Sequence, residues 1–122
     1  MNTTTLAYIG DAVYELYIRE LLIGRSKGDV GKVHKRVVSY VSSDGQAKAI
    51  KSMMNDYLTE EEQKLVKRAR NKRATSRPKN ADPRKYKLAT GFEALIGALH
   101  MDKDDARLEE VLAEAVRIIE ED

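Results

Sequence analysis

Three carboxylates lie where their surroundings in the sequence are apolar. Asp11 lies inside the apolar segment 6–13 rather than at its edge, and Glu15 follows four residues later. That spacing places both side chains on one face of a helix. Glu93 directly precedes a second apolar run, residues 94–99. Burying an ionised carboxylate without a partner costs several kcal/mol or more, so each acid needs a compensating group.

Three kinds of compensation are open at this point: an ion pair with one of the 22 Lys and Arg residues, a raised pKa, or a bound divalent cation. Carboxylate oxygens suit Mg²⁺ or Mn²⁺, and softer ligands are scarce because the chain has no cysteine and only two histidines, His34 and His100. A cation held by acids would support phosphodiester hydrolysis by activating water and shielding the phosphate. We favour the cation because the same chain carries a strongly basic segment.

Basic residues are concentrated in residues 64–87. This segment holds eleven Lys and Arg and a single acid, Asp82, for a net charge of +10, so the remaining residues carry −8 of the total of +2. Such polarisation suits a polyanion, and nucleic acid is the favoured partner. An anionic membrane fits less well because the segment has no large apolar face. The alternative is a solvated basic loop without a partner.

Hydrophobic periodicity predicts helices and no strand, which gives an all-α fold class in a single domain over residues 1–122. The predicted helices cover about residues 5–23, 30–42, 43–54, 60–71, 84–101 and 104–122. Their predicted end signals are Gly24 after the first, Asp29 before the second, Ser43 with Gln46 at the third, and Thr59 with Glu62 at the fourth. Residues 72–83 hold both prolines and are predicted to form a long basic loop.

Several classes of protein are excluded by composition. Without cysteine there is no disulfide scaffold, no cysteine nucleophile and no thiolate zinc site. The start of the chain lacks the basic region of a signal peptide, and the longest apolar run, residues 94–99, is too short to cross a bilayer. We therefore expect a soluble, cytoplasmic protein.

Two segments resemble a known family. Residues 6–15, LAYIGDAVYE, resemble the signature helix of ribonuclease III catalytic domains, and residues 90–97, TGFEALIG, resemble their second acidic motif. As a pair, in this order and separation, the two motifs are specific. The resemblance is strongest to Mini-ribonuclease III, the bacterial form that consists of the catalytic domain alone. It extends to His34 and to residues 41–43, 46–47, 68–71 and 78–80.

The resemblance implies a ribonuclease III endonuclease-domain fold of about six helices, a homodimer, and cleavage of double-stranded RNA with Mg²⁺, for which Mn²⁺ could substitute. The products would carry 5′-phosphate and 3′-hydroxyl ends. Members of the Mini type mature 23S ribosomal RNA precursors, so this substrate is expected here. Position by position, Asp11 and Glu93 match the catalytic metal ligands.

The sequence departs from the larger enzymes at two acidic positions. Ala7 and Thr90 stand where those enzymes have the other two carboxylates of the site. We therefore predict Glu15 as an auxiliary metal ligand, and a one-metal and a two-metal site both stay open. The main alternative function is a non-catalytic RNA-binding or ribosome-assembly module that retains the fold. A DNA-binding helix-turn-helix fits less well because the bases cluster in a loop.

The resemblance does not include the separate double-stranded RNA-binding domain of the larger enzymes, so RNA binding is expected of residues 64–87. The predicted RNA contacts are Lys67, Arg68, Arg70, Asn71, Lys72, Arg73, Arg77 and Lys79. Phosphate contacts of this kind give an affinity that falls steeply with salt. Asn71 and Asn80 would equally serve to cap the backbone of their own loop.

Overall fold

The computed structural model describes residues 1–27, 29–72 and 82–121. These ranges contain six helices and no strand. The helices are α1 (Thr3–Ser26), α2 (Val30–Val41), α3 (Ser43–Asp56), α4 (Glu60–Asn71), α5 (Pro83–Met101) and α6 (Asp105–Glu120). The predicted all-α class is confirmed. None of these helices combines the length and apolar composition that a membrane span requires.

Helix α5, which contains the longest apolar run, residues 94–99, lies at the centre of the molecule and packs against α1, α3, α4 and α6. Its side chains Phe92, Leu95 and Ile96 are buried, as a helix that is apolar on most of its circumference requires. The rings of Tyr14 on α1 and Phe92 pack edge to face, with 4.9 Å between their centroids. The core therefore fixes α1 against α5, the two helices that carry the acidic motifs.

Helix caps predicted from local sequence are mostly confirmed. The Asp29 carboxylate accepts from the Lys32 backbone N–H at 3.2 Å at the start of α2. Thr59 and Glu62 form the predicted capping box at the start of α4. At α3 the prediction is wrong, because Ser42 and not Ser43 is the cap, and its Oγ accepts from the Gly45 N–H at 3.2 Å.

The end of α1 and the long loop also differ from expectation. Gly24 does not end α1, which continues to Ser26 and stops at Lys27, where φ is 58°. A Cβ at Gly24 would meet nothing within 4 Å, so this glycine lies in an exposed turn of the helix. Most of the predicted loop, residues 73–81, lies outside the described residues. Pro83 belongs to the first turn of α5, where its missing N–H leaves no bond unmade.

Candidate active site

Two glycines set the distance between α1 and α5. A Cβ added at Gly10 would lie 1.7 Å from the Glu93 carbonyl oxygen, and one added at Gly97 would lie 1.9 Å from the Leu6 carbonyl oxygen. Only hydrogen at both Cα atoms permits this approach, so the two backbones are in direct contact. Asp11 follows Gly10, and Glu93 lies one helical turn before Gly97. The crossing therefore brings the two acidic motifs together.

The carboxylates of Asp11 and Glu93 meet at this crossing. Burial, the negative charge of Asp11 and a hydrogen bond to the Asp11 carboxylate together raise the pKa of Glu93 from its ordinary 4.5 to about 8. A hydrogen bond from Gln46 acts in the opposite direction, because an N–H donor favours the ionised form. At neutral pH, in the protein alone, Glu93 thus tends to hold a proton beside the Asp11 carboxyl group.

One expectation about these acids is wrong. Asp11 is exposed, not buried, whereas Glu93 is half-buried. Of the three compensations considered, an ion pair is not used: within residues 1–27, 29–72 and 82–121, no Lys or Arg forms an ion pair with Asp11 or Glu93. The raised pKa of Glu93 is present, and a cation remains the third route.

The donor set fits a hard divalent cation but is small. Two adjacent carboxylates that no described Lys or Arg pairs with supply the oxygen ligands that Mg²⁺ prefers, and Mg²⁺ commonly uses only one or two carboxylates beside water and phosphate oxygens. Among the described residues, no three Asp, Glu or His side chains form a group that could hold a metal. Glu15 instead pairs with Arg19, at 2.5 Å between Oε2 and Nη2.

The two positions without the expected carboxylates have structural roles. Ala7 is buried and packs in a small cluster with Leu6 of α1, Ala69 of α4 and Ala94 of α5. The Thr90 hydroxyl donates to the Tyr86 carbonyl oxygen at 2.9 Å, within its own helix. Neither residue therefore supplies a charge to the acidic pair.

The same small residues position the basic end of α4. Ala69 packs on Ala7 and Ala94, and a Cβ at Gly91 would lie 2.9 Å from Cγ1 of Val66, so α4 also lies close against α5. Ala94 adjoins Glu93, and Ala69 is flanked by Arg68 and Arg70. The C-terminal half of α4 is thereby packed against the stretch of α1 and α5 that carries the acids.

Only some of the predicted RNA contacts lie within the residues that the structure describes. Lys67, Arg68, Asn71 and Lys72 are exposed on or just after α4. Arg70 is half-buried, and its Nε donates to Oδ1 of Asn71 at 3.1 Å, so Asn71 is engaged locally. Arg73, Arg77, Lys79 and Asn80 lie outside the described residues.

An apolar face of α1 adjoins the acidic pair. Tyr8 is 82% exposed and Leu16 is 58% exposed, although both are large hydrophobic side chains. Together with Asp11, Glu15 and His100 they line an open groove of about 680 Å³. The exposed side chains of Tyr8 and Leu16 thus lie in the groove that contains Asp11.

Sequence reasoning missed one residue at the site. Gln46 of α3 is 2% exposed, and its Nε2 donates to Oε2 of Glu93 at 3.3 Å. The available signal was a glutamine predicted for a cap beside the small residues Gly45 and Ala47, which indicate close packing of the helix start.

Comparison with known proteins agrees with this arrangement. Residues 4–104 match the family described as Ribonuclease III domain. The chain belongs to the ribonuclease III domain family. Membership in this family, and the relatives described next, make the protein an endoribonuclease.

The relatives cover nearly the whole chain. A Mini-ribonuclease 3 of Clostridium tetani is 43% identical over 122 residues, which span 99% of this chain and 80% of that protein. A Mini-ribonuclease 3 of Streptococcus pneumoniae is 40% identical over 121 residues, spanning 98% of this chain and 94% of the relative. A crystal structure of a Fusobacterium nucleatum protein superposes with a TM-score of 0.84 at 29% identity, covering 95% of this chain and 93% of that one. The ribonuclease III family is thus matched in sequence over most of the chain, and the fold also occurs in a solved structure.

Proposed function

We propose that this chain is a divalent-metal-dependent endonuclease of double-stranded RNA, with residues 1–122 forming one catalytic domain. One observation carries the proposal: direct backbone contact at Gly10 and Gly97 brings the Asp11 and Glu93 carboxylates together, and no Lys or Arg in the described part of the chain pairs with either acid. A fold that used these acids for stability would pair them with Lys or Arg. An acidic pair left without a base is suited to a cation.

Asp11 and Glu93 would hold Mg²⁺, or Mn²⁺ in its place, through their carboxylate oxygens. Such a cation supplies activated water and shields the charge that develops on the phosphate. Glu93 must give up its proton for this role, and the Gln46 N–H group supports its ionised form. Glu15, which lines the same groove as Asp11, is proposed as an auxiliary ligand.

Hydrolysis at this site would break the bond between phosphorus and the 3′ oxygen. Water adds to phosphorus, the 3′ oxygen leaves and takes up a proton, and the products carry a 5′-phosphate and a 3′-hydroxyl. The basic end of α4 lies against the same part of the fold and would hold phosphates beside the scissile bond. The members of the predicted contact set are Lys67, Arg68, Arg70, Asn71, Lys72, Arg73, Arg77 and Lys79.

Double-stranded RNA is the substrate that the family favours. Ribonuclease III enzymes act on double-stranded RNA and are generally dimers. A-form RNA offers a protein mainly shape, phosphates and 2′-hydroxyls, which suits an exposed basic helix better than a base-reading groove. The resemblance to the Mini type further implies the ends of 23S ribosomal RNA precursors as the physiological substrate, and hence action in the cytoplasm.

A homodimer would cover the apolar face of α1. The exposed Tyr8 and Leu16 lie in the groove beside Asp11, so a second copy seated there would exclude water next to each acidic pair. Two sites related by a twofold axis could then cut the two strands of one duplex. Dimerisation is measured by sedimentation of the protein without RNA.

A cleavage assay tests the proposed function. A long RNA duplex is incubated with Mg²⁺ and protein, with EDTA as one control and Asp11→Asn protein as the other. We expect discrete cuts in the presence of Mg²⁺, none with EDTA, and a loss of about 1,000-fold or more for Asp11→Asn with RNA binding retained. Salt-sensitive RNA binding without cleavage, at any Mg²⁺ or Mn²⁺ concentration, would contradict the proposal. That result would support the non-catalytic RNA-binding or ribosome-assembly module.

A further inference from the structure

Gln46 is a buried polar side chain at the candidate active site. It lies in the first turns of α3, and its Nε2 is within hydrogen-bonding distance of two acceptors, the Val41 carbonyl oxygen at 2.9 Å and Oε2 of Glu93 at 3.3 Å. A carbonyl oxygen can only accept, so the amide atom that lies against it must be the nitrogen. The chemistry of its neighbours therefore fixes which way this amide is turned.

The amide is turned in this way although its own oxygen is left unpaired. Oε1 of Gln46 is buried and has no hydrogen-bond partner among the residues that the structure describes. An unpaired buried acceptor is unfavourable, and native folds contain few of them. Donation from Nε2 to Val41 and Glu93 therefore determines how the side chain lies.

The start of α3 gives Gln46 a fixed position. Ser42 ends α2 and begins α3, and its carbonyl oxygen accepts from the Gln46 N–H at 3.0 Å. A Cβ at Gly45 would lie 2.5 Å from the Ser39 carbonyl oxygen and 2.8 Å from that of Tyr40, so α2 and α3 are in backbone contact there. The backbone position of Gln46 is thus fixed by contacts that do not involve its side chain.

A second glutamine, Gln63, lies at the same position relative to a helix cap but has no carboxylate next to its amide among the described residues. Gln63 occupies the corresponding position of α4, four residues after the cap Thr59, and its Nε2 donates to the Leu58 carbonyl oxygen at 3.2 Å. Gln46 stands in the same relation to Ser42 and Val41. Gln63, however, is only half-buried, and no carboxylate among the described residues accepts from its amide. The bond to Glu93 is therefore an addition to the helix-start motif rather than part of it.

We propose that Gln46 is a positioning residue that holds the Glu93 carboxylate in the orientation required for binding the divalent cation. Nε2 divides its two N–H groups between the backbone of α2 and the acid, and so ties the acid to the rigid junction of α2 and α3. The cation would contact Glu93 and not Gln46. This inference rests on the proposed function, because it presumes that Glu93 is a metal ligand.

The decisive experiment compares Gln46→Met with Gln63→Met. Methionine keeps the length and approximate volume of glutamine but has no N–H, so each variant loses one side-chain donor at the start of a helix. Folding is measured by circular dichroism and thermal melting. Metal binding to the protein without RNA is measured with Mn²⁺ by electron paramagnetic resonance, and the Mg²⁺ concentration for half-maximal cleavage is measured separately.

We expect Gln46→Met to weaken Mn²⁺ binding, and to raise the half-maximal Mg²⁺ concentration, by about tenfold or more, as is usual when a partner of a metal ligand is removed. Gln63→Met should change both by less than twofold, whatever it does to the melting temperature. If Gln46→Met does not fold, Gln46→Asn is measured instead: its amide is withdrawn by roughly 1.5 Å and no longer reaches Glu93, so the same weakening is expected.

The outcomes separate this inference from the proposed function. Wild-type protein that does not cleave with Mg²⁺ and does not bind Mn²⁺ would contradict the proposed function and this inference with it. Wild-type protein that does both, together with a folded Gln46 variant whose metal dependence is unchanged, would overturn the positioning role alone. Equal weakening in the Gln46 and Gln63 variants would also overturn it, because the effect would then follow from the helix start and not from the bond to Glu93.

Discussion

Glu62 and Glu93 are both half-buried glutamates on helices, but their partners differ. Two nitrogens of Arg107 donate to Glu62, at 2.8 and 2.9 Å, and the Thr59 N–H donates to it at 2.9 Å. These donors hold the pKa of Glu62 below its ordinary value. Among the residues that the structure describes, the donor to Glu93 is the Gln46 amide, and its carboxylate neighbour is Asp11.

The difference shows that the fold balances the charge of Glu62 with a base of its own, whereas it supplies no described base for Glu93. Glu62 and Arg107 neutralise one another at a contact between α4 and α6, and Arg107 also stacks on the Tyr57 ring at 4.8 Å from its centroid. The pair at Asp11 and Glu93 carries uncompensated negative charge at the surface of the α1–α5 crossing. We infer that the first arrangement supports stability and that the second is maintained for function.

The largest expected effect comes from separating Glu93 and Asp11. Gly10→Ala places a methyl group against the Glu93 backbone, so we expect a loss of stability of about 1–3 kcal/mol or more and little remaining cleavage. The control is Gly24→Ala on the same helix, where a Cβ meets nothing within 4 Å and alanine should stabilise by up to about 1 kcal/mol. Urea unfolding and duplex cleavage measure both. Equal behaviour of the two variants would refute the close crossing.

Removing the charge of Glu62 should harm stability and spare the chemistry. Glu62→Gln removes the less exposed of the two acids that pair with the half-buried Arg107 and leaves it the more exposed Glu110, so we expect a loss of about 1–2 kcal/mol in the free energy of unfolding. The Mg²⁺ dependence of cleavage should stay as in the wild type. Urea unfolding supplies the first value and the cleavage assay the second. A shifted Mg²⁺ requirement would contradict the assignment of Glu62 to stability alone.

The two acids should also give opposite dependences on pH in the protein without metal. Glu62, with its lowered pKa, contributes stability above its ordinary value of 4.5 that is lost as the pH falls through its folded pKa. Glu93 keeps a proton up to a pKa of about 8, whereas the unfolded chain releases it near 4.5, so its contribution falls as the pH rises across that interval. Melting curves should show this decline between about pH 4.5 and 8 in wild type and not in Glu93→Gln. A decline of the same size in that variant would assign it to another group.

A smaller effect, on RNA affinity, is expected from basic residues that form no ion pair with Glu62 or Glu93. Replacing Lys67 and Arg68 by alanine should weaken RNA binding and reduce the slope of log affinity against log salt by about 1 for each phosphate that is no longer neutralised. The control on the same helix is Lys64→Ala, whose side chain pairs with Glu60 at 3.5 Å. RNA binding measured across a salt series decides this. An unchanged slope in the double variant would remove α4 from the RNA surface.

Local signals in the sequence were sufficient for much of the fold. The caps at Asp29 and Thr59 involve residues three apart in the chain, and the apolar periodicity gave six helices with nearly the observed bounds. The end of α1 could not be predicted in this way, because glycine is tolerated at the exposed position 24 and the helix stops where Lys27 adopts a positive φ.

The site was predictable only in part, because its geometry depends on contacts between distant segments. The acids could be selected as charges in apolar surroundings, but which side of α1 faces α5 is decided by Gly10 and Gly97, so the exposure of Asp11 was not foreseen. Gln46 looked like part of a cap, and its bond to Glu93 joins residues 47 apart in the chain. Such a partner has no local signature.

The most direct test of the central claim is the melting temperature of RNA-free protein at pH 8.5, with and without Mg²⁺, for wild type and Glu93→Gln. A ligand that binds only the folded state raises the melting temperature. If the acidic pair is held for a cation, Mg²⁺ will stabilise the wild type and leave Glu93→Gln unchanged. Stabilisation of both proteins to the same extent, or of neither, would contradict the account.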